Sequence, residues 1–307
     1  HPIYNYAFIT DSEEGLIVVD VNTMADGEAR NNFFFRNLTW NPDGILDGAS
    51  HITIAGYYFY IVADKGVVVL NMDDPLNPKV ESVLPVKNGR ATALQFRYLF
   101  VTDEEGFKVY DATNMAKPVA VQSATIPLKD AQRIYVARTY AYVAAGSEGL
   151  VIIDVEKADK PFVYMKYTAD GQITDARDVV AGSTNASLFA YVADGVNGLK
   201  VIQLTSPESQ PRYYGFSPDP KPELIAWYKT KWPAISIARG LARDRGVDET
   251  GGQIAIFGRL GSRPFTKKEM EAFYLKPNGN VWTVHDSVDM NAYVPPKSGP
   301  KDSASAE

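Results

Sequence analysis

The 307 residues contain no cysteine. That excludes a disulfide framework, a thiolate zinc site, a cysteine nucleophile, an iron–sulfur ligand and a haem attached within the chain. Histidine is nearly as scarce. His1, His51 and His285 stand far apart, which leaves little material for a histidine-rich metal centre. Surplus positive charge is missing too: 31 Lys and Arg against 37 Asp and Glu give a net −6, whereas a surface that tracks nucleic-acid phosphates needs the opposite sign. The longest apolar runs, Leu16 to Val19 and Val67 to Leu70, are strand-sized and fall far short of the roughly 18 residues that cross a bilayer. There is no Gly-x-Ser-x-Gly elbow, phosphate loop, dinucleotide fingerprint or His-Glu-x-x-His. The chain opens at His1 without an initiator Met or a charged-then-apolar leader, and so reads as processed or excerpted from something longer.

What is present is a turn-rich β composition. Hydrophobic residues at 45% and charged residues at 22% place the chain among ordinary globular proteins. Its 18 Tyr and 14 Phe beside 23 Gly and 19 Pro favour strands and tight turns over helices. Two glycosylation sequons, at Asn37 and Asn185, are no more than chance supplies at this length.

A repeat dominates the first two-thirds. A Tyr-rich run appears at Tyr6 to Asp11, Tyr58 to Asp64, Tyr98 to Asp103, Tyr140 to Ala145 and Phe189 to Asp194. Each is followed by a Gly-bearing turn and an aliphatic run beginning at Gly15, Gly66, Gly106, Gly149 and Gly198. These glycines are 51, 40, 43 and 49 residues apart, the spacing of propeller blades in a β-rich chain. β-Branched and aromatic side chains favour extended backbone, Asp starts a tight turn, and Gly closes it at positive φ. Each unit is thus a hairpin. A Pro-headed edge strand follows at Lys79 to Leu84, Val119 to Thr125 and Phe162 to Tyr167. Ahead of each Tyr-rich run stands a short strand with a small residue: Ala49, Ala91, Ala131 and Ala176, with Ala238 as a further copy. Innermost strands converge on a narrow axis where bulky residues collide, so alanine there is a packing requirement and its polar neighbours line the channel mouth.

The repeat resembles the LVIVD family of bacterial and archaeal β-propeller repeats, on the runs Leu16 to Asp20 and Leu150 to Asp154. The likeness covers about residues 4 to 205 and extends into Ala238 to Arg259. Asn71, Gln203 and Ala145 depart from the repeated aspartate, which weighs against a repeated metal site. The resemblance implies architecture and frequent export, and allows a neighbouring domain that carries c-type haem.

The expected fold is therefore all-β: a propeller of five or six four-stranded blades over residues 1–258, with units of about 4–47, 48–88, 89–129, 130–174 and 175–235 and a closing segment 236–258. A Pro-rich excursion with six prolines between residues 207 and 233 interrupts the last unit. Residues 259–307 form a C-terminal extension with a capped helix over 266–275, Thr266 as N-cap and Glu269 as its reciprocal partner, and a polar, mobile tail.

Few residues stand out chemically. The turn aspartates Asp11, Asp64, Asp103 and Asp194 punctuate hairpins rather than bind Ca²⁺, which wants six or more oxygens. His51 on an inner strand faces the channel, where it binds a metal or a haem edge, or plays a polar structural role. Arg133, Arg177, Asp178 and Arg239 occupy corresponding inner-strand positions, with Asp130 and Asp175 before two of them. They form a charged funnel for a small anion or an acidic loop, or Arg–Asp pairs that hold neighbouring blades together. Tyr213, Tyr214, Phe216, Trp227, Tyr228 and Trp232, interleaved with the prolines, contact a partner or cover the side of the fold.

Two classes of function follow. The first is a non-catalytic interaction or structural module, without cofactor or catalytic set, of an exported or cell-surface assembly that includes another protein, a haem protein among the candidates. The alternatives are an accessory domain of a c-type cytochrome or redox complex, and a metal-dependent propeller hydrolase or lactonase. The last needs several Asp, Asn, Glu or His side chains converging on the axis.

Overall fold

The computed structural model describes residues 2–24, 33–184, 187–211 and 217–238, and three two-residue strands at 255–256, 259–260 and 263–264. The helix expected over 266–275, the polar tail, His285 and Asn185 lie outside the described residues.

All strand pairing is antiparallel. The first sheet holds β1 (Tyr6–Asp11), β2 (Gly15–Asp20) and β3 (Phe35–Trp40). Next comes β4 (His51–Ala55), β5 (Tyr58–Ala63), β6 (Gly66–Asn71) and β7 (Lys79–Leu84). The third sheet is β8 (Ala91–Gln95), β9 (Tyr98–Asp103), β10 (Gly106–Asp111) and β11 (Val119–Pro127). The fourth is β12 (Ile134–Ala137), β13 (Tyr140–Ala144), β14 (Leu150–Asp154) and β15 (Phe162–Tyr167), and the fifth is β16 (Asp178–Thr184), β17 (Ser187–Ala193), β18 (Leu199–Thr205) and β19 (Glu223–Tyr228). A short three-stranded sheet of β20 (Ala255–Ile256), β21 (Arg259–Leu260) and β22 (Arg263–Pro264) follows. Four sheets thus have four strands in chain order, and the first lacks an inner member among the described residues.

Each expected Tyr-strand and aliphatic-strand hairpin forms, and at Asp11 and Asp103 the turn chemistry is the one the sequence implies, whereas Asp194 Oδ1 accepts the Thr174 and Asp175 N–H groups at 3.1 and 2.7 Å. Asp103 Oδ1 accepts the Glu105 and Gly106 N–H groups at 2.9 and 3.1 Å, and Gly106 takes φ +137°. A Cβ on Gly106 would lie 2.2 Å from the Ile126 carbonyl oxygen of the next strand, so only glycine lets that strand approach. The residue that ends the aliphatic strand caps the following turn. Asp20, Asn71, Asp111 and Asp154 each accept, through Oδ1, the N–H two residues on. Asparagine replaces aspartate at position 71 without loss because both carry that oxygen.

The central strands are buried on both faces, which is why they read as unbroken aliphatic runs. Along β6, Val68 and Leu70 join Leu16, Val18, Phe59 and Ile61 in the core between the first and second sheets. Val67 and Val69 point the other way, to Leu99, Val101 and Tyr110 of the third. The third sheet meets the fourth through Phe107, Val109, Val143 and Val151, and the fourth meets the fifth through Tyr142, Ile152, Val192 and Ile202. The five sheets therefore stack face to face in chain order, and their inner strands β4, β8, β12 and β16 lie side by side. In every one of the five the outermost pair carries an irregularity at the same place, between Val18 and Val19, Val69 and Leu70, Lys108 and Tyr110, Ile152 and Ile153, and Val201 and Ile202.

The Pro-rich excursion is fastened to the stack. Thr139 Oγ1 and Ser217 Oγ share a hydrogen bond at 2.5 Å, Tyr140 Oη donates to Asp219 Oδ1 at 2.8 Å, and the Lys221 N–H donates to the Leu204 carbonyl at 2.7 Å.

Candidate functional site: a cavity where the inner strands converge

The inner strands can be put in register by their pairing. Ser50, Arg90, Gln132 and Arg177 each donate a backbone N–H to the equivalent residue of the next strand, namely Val62, Thr102, Ala144 and Ala193. A fifth equivalent is Ile235, because Ala234 bridges Gly195 in the way Ala176 bridges Gly146. This register corrects two sequence alignments. Ala91 matches His51, Arg133 and Asp178 rather than Ala49, and the small residue at the alanine position of the third unit is Gly89. The counterpart of Ala176 is Ala234, four residues before Ala238. Arg239 itself lies outside the described residues.

The five equivalent positions surround one cavity of about 490 Å³. Ser50, Arg90, Gln132, Arg177 and Ile235 all line it, and Arg133, Asp175, Val196 and Pro233 complete the wall. Polar neighbours of the small inner residues thus line this cavity. Sequence reasoning missed Arg90 and Ile235. The signal for Arg90 was available: Ser50, Arg90 and Gln132 each stand eight residues before the first Tyr of the following strand, Tyr58, Tyr98 and Tyr140.

The charged groups of this cavity differ in how they are satisfied. Arg133 reaches across two neighbouring sheets, donating from Nη1 to the Arg90 carbonyl at 3.1 Å and from Nη2 to the Ser50 carbonyl at 3.2 Å. Burial pulls its pKa down, with the Asp178 carboxylate acting in the opposite sense. Arg177 Nε pairs with Asp175 Oδ1 at 2.6 Å, the structural alternative foreseen for these residues, but within one segment rather than between sheets. The Arg90 guanidinium makes neither a hydrogen bond nor an ion pair to the described residues. Glu104 feels its charge from a distance, but that carboxylate is engaged by Lys87 and Asn88.

Asp178 is buried and fully engaged. Its Oδ1 accepts the Val179 N–H at 2.7 Å, and Oδ2 accepts the Ser236 hydroxyl and the Ile237 N–H, both at 3.0 Å. It binds the segment after Ala234 to β16. His51 does not line the cavity. Its Nδ1 accepts the Thr92 N–H at 3.3 Å, which places the proton of the neutral ring on Nε2. Burial, and secondarily the Arg133 cation, lower its pKa to about 3, so at neutral pH the imidazole is uncharged and joins β4 to β8. Among the described residues no three His, Asp or Glu side chains are grouped to hold a metal ion.

The aromatic candidates lie elsewhere. Trp227 and Tyr228 sit on the edge strand β19, 62% and 69% exposed, and Trp232 follows at 75%. Lys200 Nζ stands 5.5 Å from the Trp227 ring centre and Lys231 Nζ 5.7 Å from that of Trp232. Tyr213, Tyr214 and Phe216 lie outside the described residues. No described helix is long and apolar enough to cross a membrane.

No curated protein matches the sequence. Among solved structures, a functionally unknown protein from Desulfotomaculum acetoxidans DSM 771 is 12% identical with a TM-score of 0.55, over 80% of this chain and 70% of that one, and shares the fold. The extracellular domain of a one component system from B. thetaiotaomicron is 14% identical with a TM-score of 0.47, over 73% of this chain and 28% of that one. PorZ, a surface component of the type-IX secretion system of Porphyromonas gingivalis, is 19% identical with a TM-score of 0.39, over 66% and 24%. The family model for the LVIVD repeat matches residues 4–24, 129–165 and 175–214, the segments that hold the first, fourth and fifth hairpins. The chain thus carries LVIVD repeats in those segments, within a propeller-like all-β fold.

Proposed function

We propose that this chain is a five-bladed propeller acting as a non-catalytic interaction module of an exported or cell-surface assembly. Five blades follow if the segment after Ala234 supplies the inner strand that the β1–β3 sheet lacks. Two features support that closure. The five inner positions surround one cavity, and β1 is alternately exposed where β5 and β9 are almost wholly buried, as befits a strand still short of its neighbour.

The observation that carries the functional reading is the exposure of Trp227, Tyr228 and Trp232, which lie on the edge strand β19 and just after it. Large aromatic rings left to solvent at an edge, beside a segment fastened down at Ser217 and Asp219, have the character of interface anchors. Export is the family's habit, and the occupant is accordingly a protein of the same surface assembly. The test is quantitative co-purification from native membranes and secreted material. One polypeptide in stoichiometric yield with the native chain, lost from a folded Trp227→Ala/Trp232→Ala variant, is the expected result. Retention by that variant moves the interface off this surface, and recovery of the native chain without any partner removes the reading.

A further inference from the structure

The axial cavity has a chemistry that the interaction reading does not use. This chain is acidic overall, at −6, yet its cavity wall carries Arg90, Arg133 and Arg177 against Asp175 alone. The nearby carboxylate of Asp178, bonded by Val179, Ser236 and Ile237, keeps its charge and offsets part of that of Arg133, so that the three guanidinium groups face two carboxylates and the surplus is a single positive charge. Arg177 is matched by Asp175. Arg133 is held by two carbonyl oxygens, which use two of its five N–H donors and cancel none of its charge. The Arg90 side chain is bonded to none of the described residues. The opposite side of the wall is apolar, formed by Val196, Pro233 and Ile235.

We infer that this cavity is a binding site for a small organic carboxylate. Arg90 receives the carboxylate as a planar fork with parallel N–H donors, a geometry that guanidinium and carboxylate share. The Arg133 charge, partly withdrawn from water, strengthens the field at that point, and the carbon skeleton lies on Val196, Pro233 and Ile235. About 490 Å³ suits a ligand of this size. The carboxylate comes either as a free acid or as the side chain of an acidic peptide, since both present the same group. The site stands whether or not the aromatic surface binds a protein.

Calorimetric titration of the full chain with succinate, with a capped tripeptide containing a central Asp, and with inorganic phosphate tests the inference. Saturable binding of succinate or of the peptide is expected, weakened at least about tenfold by Arg90→Ala and less by Arg90→Lys, and reduced by added salt. Arg90 is exposed, so the variants keep the native melting temperature, and Arg177→Ala provides a second weakening at the same wall. Succinate binding alone assigns the site to free acids; equal binding of the peptide assigns it to acidic side chains. Phosphate binding tighter than either carboxylate overturns the ligand class. Affinity unchanged in both Arg90→Ala and Arg177→Ala, or no binding of any probe, overturns the site.

Discussion

Asp178 holds Ile237, 59 positions further along the chain, at a distance of 3.0 Å from its Oδ2 to the backbone N–H, joining the last four-stranded sheet to the segment that follows it. The same oxygen takes the Ser236 hydroxyl, so one buried carboxylate fixes the start of that segment. Replacing Asp178 with Ala leaves these donors unmatched and is expected to cost about 2–4 kcal/mol in chemical denaturation. Asp178→Asn keeps an acceptor oxygen and should cost less. Equal stability of the Ala variant and the native chain would contradict the arrangement.

Acid should act through His51. Its pKa of about 3 in the folded chain lies below the ordinary 6.5, so the unfolded chain binds a proton that the folded chain refuses across that interval. Stability contributed by the neutral ring is complete above about pH 6.5 and falls as pH drops towards 3, by an amount on the order of a few kcal/mol. His51→Gln should flatten the pH dependence of unfolding between pH 6.5 and 3 relative to the native chain. Arg133→Gln should raise the imidazole pKa measured by NMR only partly, because burial is the larger cause.

Gly106 and Gly66 should tolerate no side chain. Both have φ far into the positive range, and a Cβ would sit 2.2 and 2.1 Å from a carbonyl oxygen of the outer strand. Gly106→Ala is expected to destabilise by about 2–4 kcal/mol, from backbone strain and displacement of β11 together. Gly56, at φ +62° with nothing within 4 Å of where a methyl would stand, serves as the comparison. Gly56→Ala should cost only about 1 kcal/mol.

Tyr140 pins the Pro-rich excursion. Burial first, and then its hydrogen bond to Asp219, drive the phenol pKa above its usual value. Tyr140→Phe should leave the β12–β15 sheet folded while releasing residues 217–222, seen as faster limited proteolysis there and a stability loss of about 1 kcal/mol.

The hairpins and their order were legible because their signals are local: Tyr and Val periodicity, an Asp at the bend, and a Gly such as Gly106 with nowhere to put a Cβ. The Pro-headed edges at Lys79, Val119 and Phe162 were legible for the same reason. The cavity was harder to read. Its composition depends on register between strands that are about 40 residues apart in a repeat of this kind, and alanine is a poor marker because Ala91 satisfies the same steric need as Ala49 from a different position. Arg90 hid behind that slip. Arg133 and Arg177 were found, yet their separate roles, one bonded to the Ser50 and Arg90 carbonyls and the other paired with Asp175, follow from distances that no spacing in the chain encodes. His51 stands on a strand next to the cavity but is held by Thr92.

The displaced pairing at the outermost strand of each large sheet has a further consequence. Among the described residues no strand pairs beyond β3, β7, β11, β15 and β19, and such a margin is the kind on which foreign chains nucleate fibrils. An extra residue there bends the margin and breaks its hydrogen-bonding rhythm, so that an approaching extended peptide finds no straight template to follow. A protein rich in Val, Ile and Tyr is thereby kept from polymerising through its own rims, a safeguard repeated in every large sheet of the chain.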